Sequence, residues 1–248
     1  MSPARFRWLL PAAGGTATAA ELAASVGLRE LASDDRPAVA LNMIASLDGR
    51  IALAGRAGPL ANRADHELFH ALRGAADAVL VGAGTVRAEG YGAMDQLAVV
   101  VSNSLRLAPD LGLLRAPGNR VVIVTESDAE LAPSAAHVSY LRLSPMDLGE
   151  ALRRLRSEYD VRAVVCEGGA HLNAELLPAG LVDELHLVLS PLLVGGQDPL
   201  TLISGAALEP PLRAELAWLL ESEGYLFTRY RMLGDARHRE CQTHDDHT

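Results

Sequence analysis

Residues 77–92, DAVLVGAGTVRAEGYG, decide the fold of this 248-residue chain. An apolar run typical of a β-strand, residues 77–81, leads into the glycine turn Gly82-Ala83-Gly84, and the residues that follow can begin a helix. The first backbone N–H groups of a helix have no intrahelical partner, and glycines let a ligand come close to them. A strand that ends in this way is a common phosphate-binding joint. The simpler interpretation is a turn that only links a strand to a helix.

The glycine turn does not match the dinucleotide-binding fingerprint of the Rossmann fold. Its sixth position is Arg87 rather than glycine, and the turn lies far inside the chain. No acidic residue stands where that fingerprint requires one, about 20 residues further on, to bind a ribose. The Rossmann interpretation is therefore rejected.

Other segments show the unbroken apolar pattern of strands that helices cover on both faces. They are residues 38–47, 97–102, 121–125 and 161–166, and the last leads into a second glycine joint, Glu167-Gly168-Gly169. Near the C-terminus, residues 224–230 alternate and predict an antiparallel strand near an edge. We therefore predict a three-layer α/β fold with a mixed, mostly parallel sheet, helices on both faces and an antiparallel C-terminal edge.

A single domain over residues 37–233 accounts for these elements. Residues 1–36 are predicted to be a lead-in segment, in which Thr18 caps a short helix through a capping box. Residues 234–248 are predicted to be a disordered tail. Histidines and Cys241 recur there every three residues, so a metal-binding tail is the alternative.

Composition excludes several classes of protein. The chain has 31 acidic and 22 basic residues, a net charge of −9, which argues against a nucleic-acid-binding or anionic-membrane-binding surface. Its two cysteines are too few for a disulfide framework or a four-cysteine zinc site. No apolar run approaches the roughly 20 residues of a membrane span, so we expect a cytoplasmic protein.

Polar side chains interrupt the apolar pattern near the predicted sheet edge. Asn42 and Ser46 share one face of their strand because four residues is an even spacing, and Asp48 follows them in a turn. Buried polar groups need partners, and a structural partner and a ligand are both open here. A helix over residues 63–74, capped by its preceding asparagine, returns Arg73 to the sheet just before the first glycine joint.

Six motifs, taken in order, resemble one family. They are Ser46-Leu47-Asp48-Gly49, Leu72-Arg73-Gly74 with Asp77-Ala78, Gly82-Ala83-Gly84-Thr85-Val86, Glu167-Gly168-Gly169, Leu181-Val182-Asp183-Glu184-Leu185 and Ser190-Pro191-Leu192-Leu193-Val194-Gly195-Gly196. Together they resemble the reductase domain of the bacterial bifunctional riboflavin-biosynthesis pyrimidine deaminase/reductases, which has a dihydrofolate-reductase-like fold. The resemblance covers residues 38–232. The H-x-E and P-C-x-x-C motifs of the zinc deaminase half do not occur in the sequence.

The resemblance implies an NADPH cofactor, a pyrimidine-like substrate and candidate residues for both. The residues implied for the cofactor are Gly82, Gly84, Thr85 and Val86, with Glu89 at the position of a cofactor-binding acid, then Gly168, Gly169, Ala170, His171, Leu172 and Asn173 for the pyrophosphate, and Ser102, Arg106 and Thr125 for the adenosine 2′-phosphate end. The residues implied for the substrate are Asn42, Ser46, Asp48, Arg73 and Glu167. Glu167 and Asp48 are the candidate catalytic residues, as proton donors or amine anchors, and a water in the pocket is the other candidate proton source.

The sequence departs from this family on the substrate side. Family members follow the GTV motif with two acids and a proline, and then with an arginine that helps to hold the substrate. Here the run is Ala88-Glu89-Gly90-Tyr91-Gly92, and Gln96 stands roughly where the arginine belongs. The cofactor half of the site therefore matches the family, whereas the substrate half does not.

The leading hypothesis is an NADPH-dependent reductase of the riboflavin-pathway type, which delivers hydride to a C=N or ring-opened sugar-imine carbon. A dihydrofolate-type reductase and a non-catalytic dinucleotide-binding or regulatory protein are the alternatives. Retention of Glu167, Asp48 and Arg73 beside the cofactor motifs favours an enzyme. The resemblance also implies a homodimer, with the apolar strand at residues 185–193 as a candidate interface.

Overall fold

The computed structural model describes residues 3–11, 14–197 and 200–234. The strands in these ranges are β1 (Phe6–Leu10), β2 (Thr16–Ala17), β3 (Ala38–Ser46), β4 (Ala78–Gly82), β5 (Leu97–Val101), β6 (Arg120–Thr125), β7 (His137–Arg142), β8 (Ala163–Cys166), β9 (Glu184–Ser190), β10 (Ala214–Ser222) and β11 (Tyr225–Met232). The α-helices are α1 (Ala19–Val26), α2 (Arg63–Gly74), α3 (Ala83–Glu89), α4 (Gly112–Arg115), α5 (Leu148–Tyr159) and α6 (Ala170–Leu176). Short 3-10 helices span Leu28–Leu31 and Gly58–Leu60.

The described strands form one sheet in the order β2-β1-β10-β11-β9-β3-β8-β4-β5-β6-β7. Strands β9, β3, β8, β4, β5, β6 and β7 run parallel to one another. Strands β11, β10, β1 and β2 continue the sheet with antiparallel pairings. The predicted fold class, a mixed and mostly parallel sheet with an antiparallel side, is confirmed.

The edges of the antiparallel side differ from the prediction. Strand β11 was expected near an edge, but it lies between β9 and β10, and the outermost strands come from the N-terminal segment. The expected lead-in therefore supplies β1 and β2, and residues 216–220 of β10 form a strand that the sequence analysis did not predict. Their unbroken run, LAWLL, carries no helical or strand periodicity, so its pairing partners decide its conformation.

Helices cover both faces of the parallel part of the sheet. On one face α1 and α2 pack on the sheet through an apolar cluster that includes Leu22 and Leu68, and α5 and α6 cover the other face through residues such as Leu152 and Leu176. The predicted caps are present: Thr18 forms a capping box with Glu21 at the start of α1. Asn62 Oδ1 accepts the backbone N–H of Asp65 at 2.9 Å, which fixes the start of α2.

Two of the expected absences apply to the described residues alone. No helix in the described ranges is long and apolar enough to cross a membrane. Among the same residues, no group of three or more His, Cys, Asp or Glu side chains could hold a metal ion. The predicted tail, with His238, Cys241 and His244, lies almost entirely outside the described residues, so the prediction for it stays a prediction.

The topology brings the two glycine joints together. Strands β4 and β8 are parallel neighbours, so their carboxyl ends meet at the same edge of the sheet. There the backbone N–H of Gly82 donates to the carbonyl oxygen of Gly168 at 2.8 Å. Ligands of open α/β sheets bind at this edge.

Candidate active site

A cavity of about 590 Å³ lies at the carboxyl edge of the sheet, between α2 and the two glycine joints. Its volume is typical of a small-molecule site. The predicted residues that line it are Asn42, Arg73, Gly82, Gly84, Thr85, Glu89, Glu167, Gly169, Ala170, His171 and Leu172. Predicted cofactor and substrate residues therefore face one space.

The glycine joints pack so closely that larger side chains would not fit. A Cβ atom on Gly169 would lie 2.9 Å from Thr85 Oγ1, and Gly168 has a φ of +74° with Met43 Sδ beside it. Gly82 and Gly169 are the N-caps of α3 and α6, and neither helix has a side-chain cap. The first N–H groups of both helices are therefore open to a ligand. The Gly168–Gly169 peptide bond is cis.

Glu167 lies at the centre of a hydrogen-bonded group with Arg73 and Tyr91, which we call the Glu167 cluster. Arg73 Nε and Nη2 donate to the two Glu167 carboxylate oxygens at 3.0 and 2.8 Å, a fork-shaped ion pair. The Tyr91 hydroxyl donates to Glu167 Oε2 at 2.6 Å. The side chain of Glu167 is 4% exposed and that of Arg73 16%. Glu167 is thus an acceptor for three donors in a nearly water-free position.

The cluster also depends on aromatic rings. The Arg73 guanidinium carbon lies 4.4 Å from the centre of the Phe69 ring and 5.5 Å from that of Tyr91. Enclosure by protein, followed by the negative charge of Glu167, raises the pKa of Tyr91 well above its ordinary value. The Tyr91 hydroxyl therefore stays protonated and acts as the hydrogen-bond donor to Glu167.

A second layer holds the backbone at Tyr91. Asn119 is buried, and its side chain binds the Gly92 carbonyl, the Leu113 carbonyl and the Met94 N–H. A Cβ atom at Gly112 would collide with the Tyr91 carbonyl oxygen, so the first residue of α4 has to be glycine. These contacts fix the direction in which the tyrosine points.

Glu89 ties a loop to the cavity wall. Its Oε1 accepts the backbone N–H of Ala57 at 2.7 Å, and Arg56 Nε lies 4.0 Å from its other oxygen. The sequence analysis assigned Glu89 to the cofactor. It lines the cavity, but one of its oxygens is already used by the loop at residues 55–58.

Ser46 and Asp48 do not line the cavity. Ser46 Oγ donates to Asp48 Oδ1 at 2.6 Å, and Asp48 accepts the backbone N–H groups of Val194 and Gly195 at 3.0 and 2.7 Å. The serine hydroxyl, followed by these backbone donors, lowers the pKa of Asp48 far below its usual range. Both residues join two loops, and the structure gives neither of them the pocket position expected for a substrate contact or a proton donor.

The residues implied for the adenosine end lie along the same sheet edge, outside the cavity lining. Ser102 Oγ accepts the Leu105 N–H at 3.1 Å, and Thr125 Oγ1 accepts the Ser127 N–H at 3.0 Å, so both hydroxyls shape the loops after β5 and β6. Arg106 is exposed, and no described residue pairs with its guanidinium.

The remaining three predicted cofactor residues, Val86, Gly168 and Asn173, are not among the residues that line the cavity. Val86 belongs to α3, and its side chain is buried in the hydrophobic core. A Cβ atom on Gly168 would lie 3.4 Å from Asn173 Oδ1, and the buried Asn173 donates through Nδ2 to the Leu202 carbonyl at 2.8 Å. The Oδ1 atom of Asn173 has no partner among the described residues.

The sequence analysis proposed no site role for Tyr91, Asp65 or Phe69, which also line the cavity. Asp65 and Arg73 are eight residues apart on a helix that was predicted, so helical spacing could have placed both on the same face. The Tyr91 contact has no comparable signal, because it joins residues 76 positions apart.

Comparisons with known proteins identify relatives of this chain. A reductase from Methanothermobacter thermautotrophicus, named for 2,5-diamino-6-ribosylamino-4(3H)-pyrimidinone 5′-phosphate, is 32% identical over 189 residues, covering 70% of this chain and 87% of the relative. The riboflavin biosynthesis protein RibD of Mycobacterium tuberculosis is 31% identical over 208 residues, which cover 82% of this chain and 56% of that protein.

The fold has close counterparts among solved structures. A pyrimidine reductase-like protein from Corynebacterium diphtheriae superposes with a TM-score of 0.69 at 25% identity, covering 81% of this chain and 94% of that one. The family model of the RibD C-terminal domain matches residues 37–222. This match spans well over half of the 248 residues, so the chain belongs to the RibD C-terminal domain family.

Proposed function

We propose that this protein is an NADPH-dependent pyrimidine reductase of the riboflavin-pathway type. Its substrate is a ribosylaminopyrimidine such as 2,5-diamino-6-ribosylamino-4(3H)-pyrimidinone 5′-phosphate, the compound for which the archaeal relative is named. The observation that carries the proposal is that the Glu167 cluster and the glycine joints line one cavity. A substrate held by the cluster would lie beside a cofactor held by the joints.

The residues present fit a reduced nicotinamide dinucleotide. The N–H groups in the first turns of α3 and α6, the Thr85 hydroxyl and the close-packed glycines suit a pyrophosphate. Arg106, Ser102 and the end of β6 would hold the adenosine end, and the exposed guanidinium favours a 2′-phosphate, hence NADPH over NADH. When bound, the cofactor supplies the hydride.

Residues of the chain position the substrate, and a water molecule supplies the proton. The imine carbon gains a hydride and the nitrogen a proton, so C=N becomes CH–NH. Glu167 already accepts three hydrogen bonds, and Asp48 lies outside the cavity, so neither is placed to donate to the substrate nitrogen. We therefore assign proton delivery to a water in the cavity, with Glu167 and Arg73 orienting the substrate.

Two alternatives make different predictions. A dihydrofolate-type reductase would reduce dihydrofolate, and its pterin ring shares a 2-amino-4-oxopyrimidine edge with the diaminopyrimidinone. A non-catalytic binding protein would bind NADPH and oxidise none. An assay of NADPH oxidation at 340 nm with the diaminopyrimidinone phosphate, the corresponding uracil and dihydrofolate separates all three. A product two hydrogens heavier than the diaminopyrimidinone supports the proposal, whereas no turnover of either pyrimidine contradicts it.

The proposal includes a cytoplasmic homodimer. On one face of β9, β11 and β10, partly exposed apolar side chains lie side by side, among them Leu185, Tyr230 and Leu216. Strand β9 is internal to the sheet, so this face rather than the strand edge would form the interface. Leu216→Glu should give monomers in analytical ultracentrifugation, and Leu31→Glu, an exposed leucine of a 3-10 helix, should not. A monomeric wild type would refute the dimer.

A further inference from the structure

Asp65 is a cavity carboxylate for which the described residues supply no partner. Its backbone N–H is used by the Asn62 cap, but its side chain makes no hydrogen bond or ion pair with any described residue. The other two cavity acids differ: Glu89 binds the Ala57 N–H, and Glu167 binds Arg73 and Tyr91. Asp65 therefore has both oxygens free to accept hydrogen bonds from a ligand.

One face of α2 forms the part of the cavity wall that contains Asp65. Asp65, Phe69 and Arg73 recur every four residues along α2, so their side chains share one face of the helix, and all three line the cavity. The Arg73 guanidinium carbon lies over the Phe69 ring, and Phe69 is also one of the residues that line the cavity. An aromatic ring beside a free carboxylate suits a planar heterocycle whose edge donates hydrogen bonds.

The electrostatics of the cavity make this carboxylate distinctive. Burial raises the pKa of Asp65 to about 6, and the positive charge of His66 opposes this. The other titratable groups that face the cavity are His70, His171, Glu89 and the Glu167 cluster. None of these groups forms an ion pair with Asp65, so the negative charge of Asp65 is available to bind a ligand.

We propose that Asp65 is a specificity-determining residue that binds the donor edge of the substrate ring, an amino group next to a ring N–H. This inference rests on the proposed function and deepens it. Two parallel N–H donors match the two oxygens of a carboxylate, which is the geometry of strong bidentate recognition. A 2-oxo ring such as uracil presents a carbonyl oxygen at that position, which repels the carboxylate. Asp65 therefore selects 2-amino-4-oxopyrimidines over uracils.

A helix-stabilising role would leave a different signature. An acid in the first turn of a helix interacts favourably with the helix dipole when it is ionised and solvated. Here burial disfavours the ionised form, so the carboxylate is not optimised for helix stability. A dipole role also predicts no dependence on which pyrimidine is bound.

The test measures binding of two small probes to the NADPH-loaded protein by calorimetry. The probes are isocytosine, which carries the 2-amino edge, and uracil, which carries a 2-oxo group. Wild type should bind isocytosine about ten- to a hundredfold more tightly, the range expected for charge-assisted hydrogen bonds. Asp65→Asn should lose most of this preference, and Asp110→Asn, an exposed acid outside the cavity lining, should keep it. Circular dichroism verifies that each variant is folded.

The pH dependence gives an independent readout. Isocytosine binding should weaken as the pH falls through about 6, because Asp65 then gains a proton. A preference retained in Asp65→Asn, a wild type without preference, or undetectable isocytosine binding at millimolar concentration would overturn the inference. Rates with the dephosphorylated substrate that fall as the pH rises through 6 would instead make Asp65 a proton donor and also overturn it. Because probe binding requires no turnover, its failure is distinguishable from failure of the reductase assay.

Discussion

Replacing Arg73 by methionine tests whether the Glu167 cluster is a buried ion pair on which the site depends. The variant keeps the length and apolar stem of the side chain but removes both donors to Glu167. Tyr91 remains as a donor, so the carboxylate, 4% exposed, keeps one hydrogen bond and loses its counter-ion.

The expected magnitude follows from burial. Removing one partner of a buried ion pair typically costs about 3–5 kcal/mol, because the other charge stays desolvated. For a chain of this size that loss lowers Tm by roughly 10 °C. Adding Glu167→Gln removes the stranded charge and keeps an oxygen that can accept from Tyr91. The double variant should therefore recover about 2–3 kcal/mol relative to Arg73→Met.

Urea unfolding followed by far-ultraviolet circular dichroism measures these free energies. Arg115→Met is the matched control, because Arg115 is an exposed arginine at the end of α4, and its loss should stay within about 0.5 kcal/mol. The reasoning is refuted by an Arg73→Met variant within about 1 kcal/mol of wild type, or by a double variant that loses the full cost of both single changes.

The remaining predictions concern the cofactor joint and Asp65. Gly169→Val should abolish NADPH binding in a folded protein, because a side chain there meets Thr85, and unchanged affinity by fluorescence titration would make the joint merely structural. The wild type should bind NADPH more tightly than NADH, and Arg106→Ala should reduce this difference in affinity. Equal affinities of the wild type for the two cofactors in calorimetry would contradict this. The pKa of Asp65 is raised from 3.8 to about 6, so its ionised form destabilises the fold above pH 6 and has no effect well below pH 4. That shift corresponds to at most about 3 kcal/mol, and cavity water reduces it, so Asp65→Asn should raise Tm at pH 8 by about 2–4 °C and leave it unchanged at pH 3; an equal change at both pH values would refute this.

Local sequence signals predicted the elements that depend on local chemistry. The Asn62 cap fixes the first residue of α2, and the helix ends at Gly74 as predicted. The unbroken apolar runs predicted the parallel strands, because a strand that is buried on both faces is apolar along its whole length. Residues 216–220 lacked such a signal, since a short apolar run is compatible with helix or strand until its neighbours in the sheet are known.

The sequence predicted only those parts of the candidate site that a single continuous segment forms. The glycine joints are each continuous in sequence, so their place at the sheet edge could be inferred from their pattern. The Glu167 cluster joins residues from three separate segments, and its ion pair spans 94 positions. Tyr91 reaches Glu167 because Asn119 and Gly112 hold its backbone, and these contacts exist only after the chain has folded. Ser46 and Asp48 make contacts that the sequence also does not show, because Asp48 accepts the Ser46 hydroxyl and the Val194 N–H and so joins two loops.

The charges left free in the cavity bear on the substrate phosphate. Arg73 is the arginine among the described lining residues, and Glu167 neutralises it, while Gln96, at the position of the family arginine, is not among them. The cations that remain for a phosphate are histidines such as His70, and burial together with the charge of Arg73 lowers the pKa of His70. A phosphate would therefore be bound well only in acid, whereas Asp65 binds the ring only above about pH 6.

These opposite requirements predict a pH profile that depends on the substrate. The phosphorylated ribosylaminopyrimidine should show a maximum of kcat/KM, which falls on the acid side as Asp65 gains a proton and on the alkaline side as His70 loses one. Its dephosphorylated form should rise to a plateau, since only Asp65 must ionise. At pH 8 the missing arginine contact, worth about 1.5–3 kcal/mol, should leave the phosphorylated form with no advantage. Steady-state kinetics of both forms from pH 5 to 9 decide the matter: a strong preference for the phosphorylated form at pH 8 would mean that another group binds the phosphate.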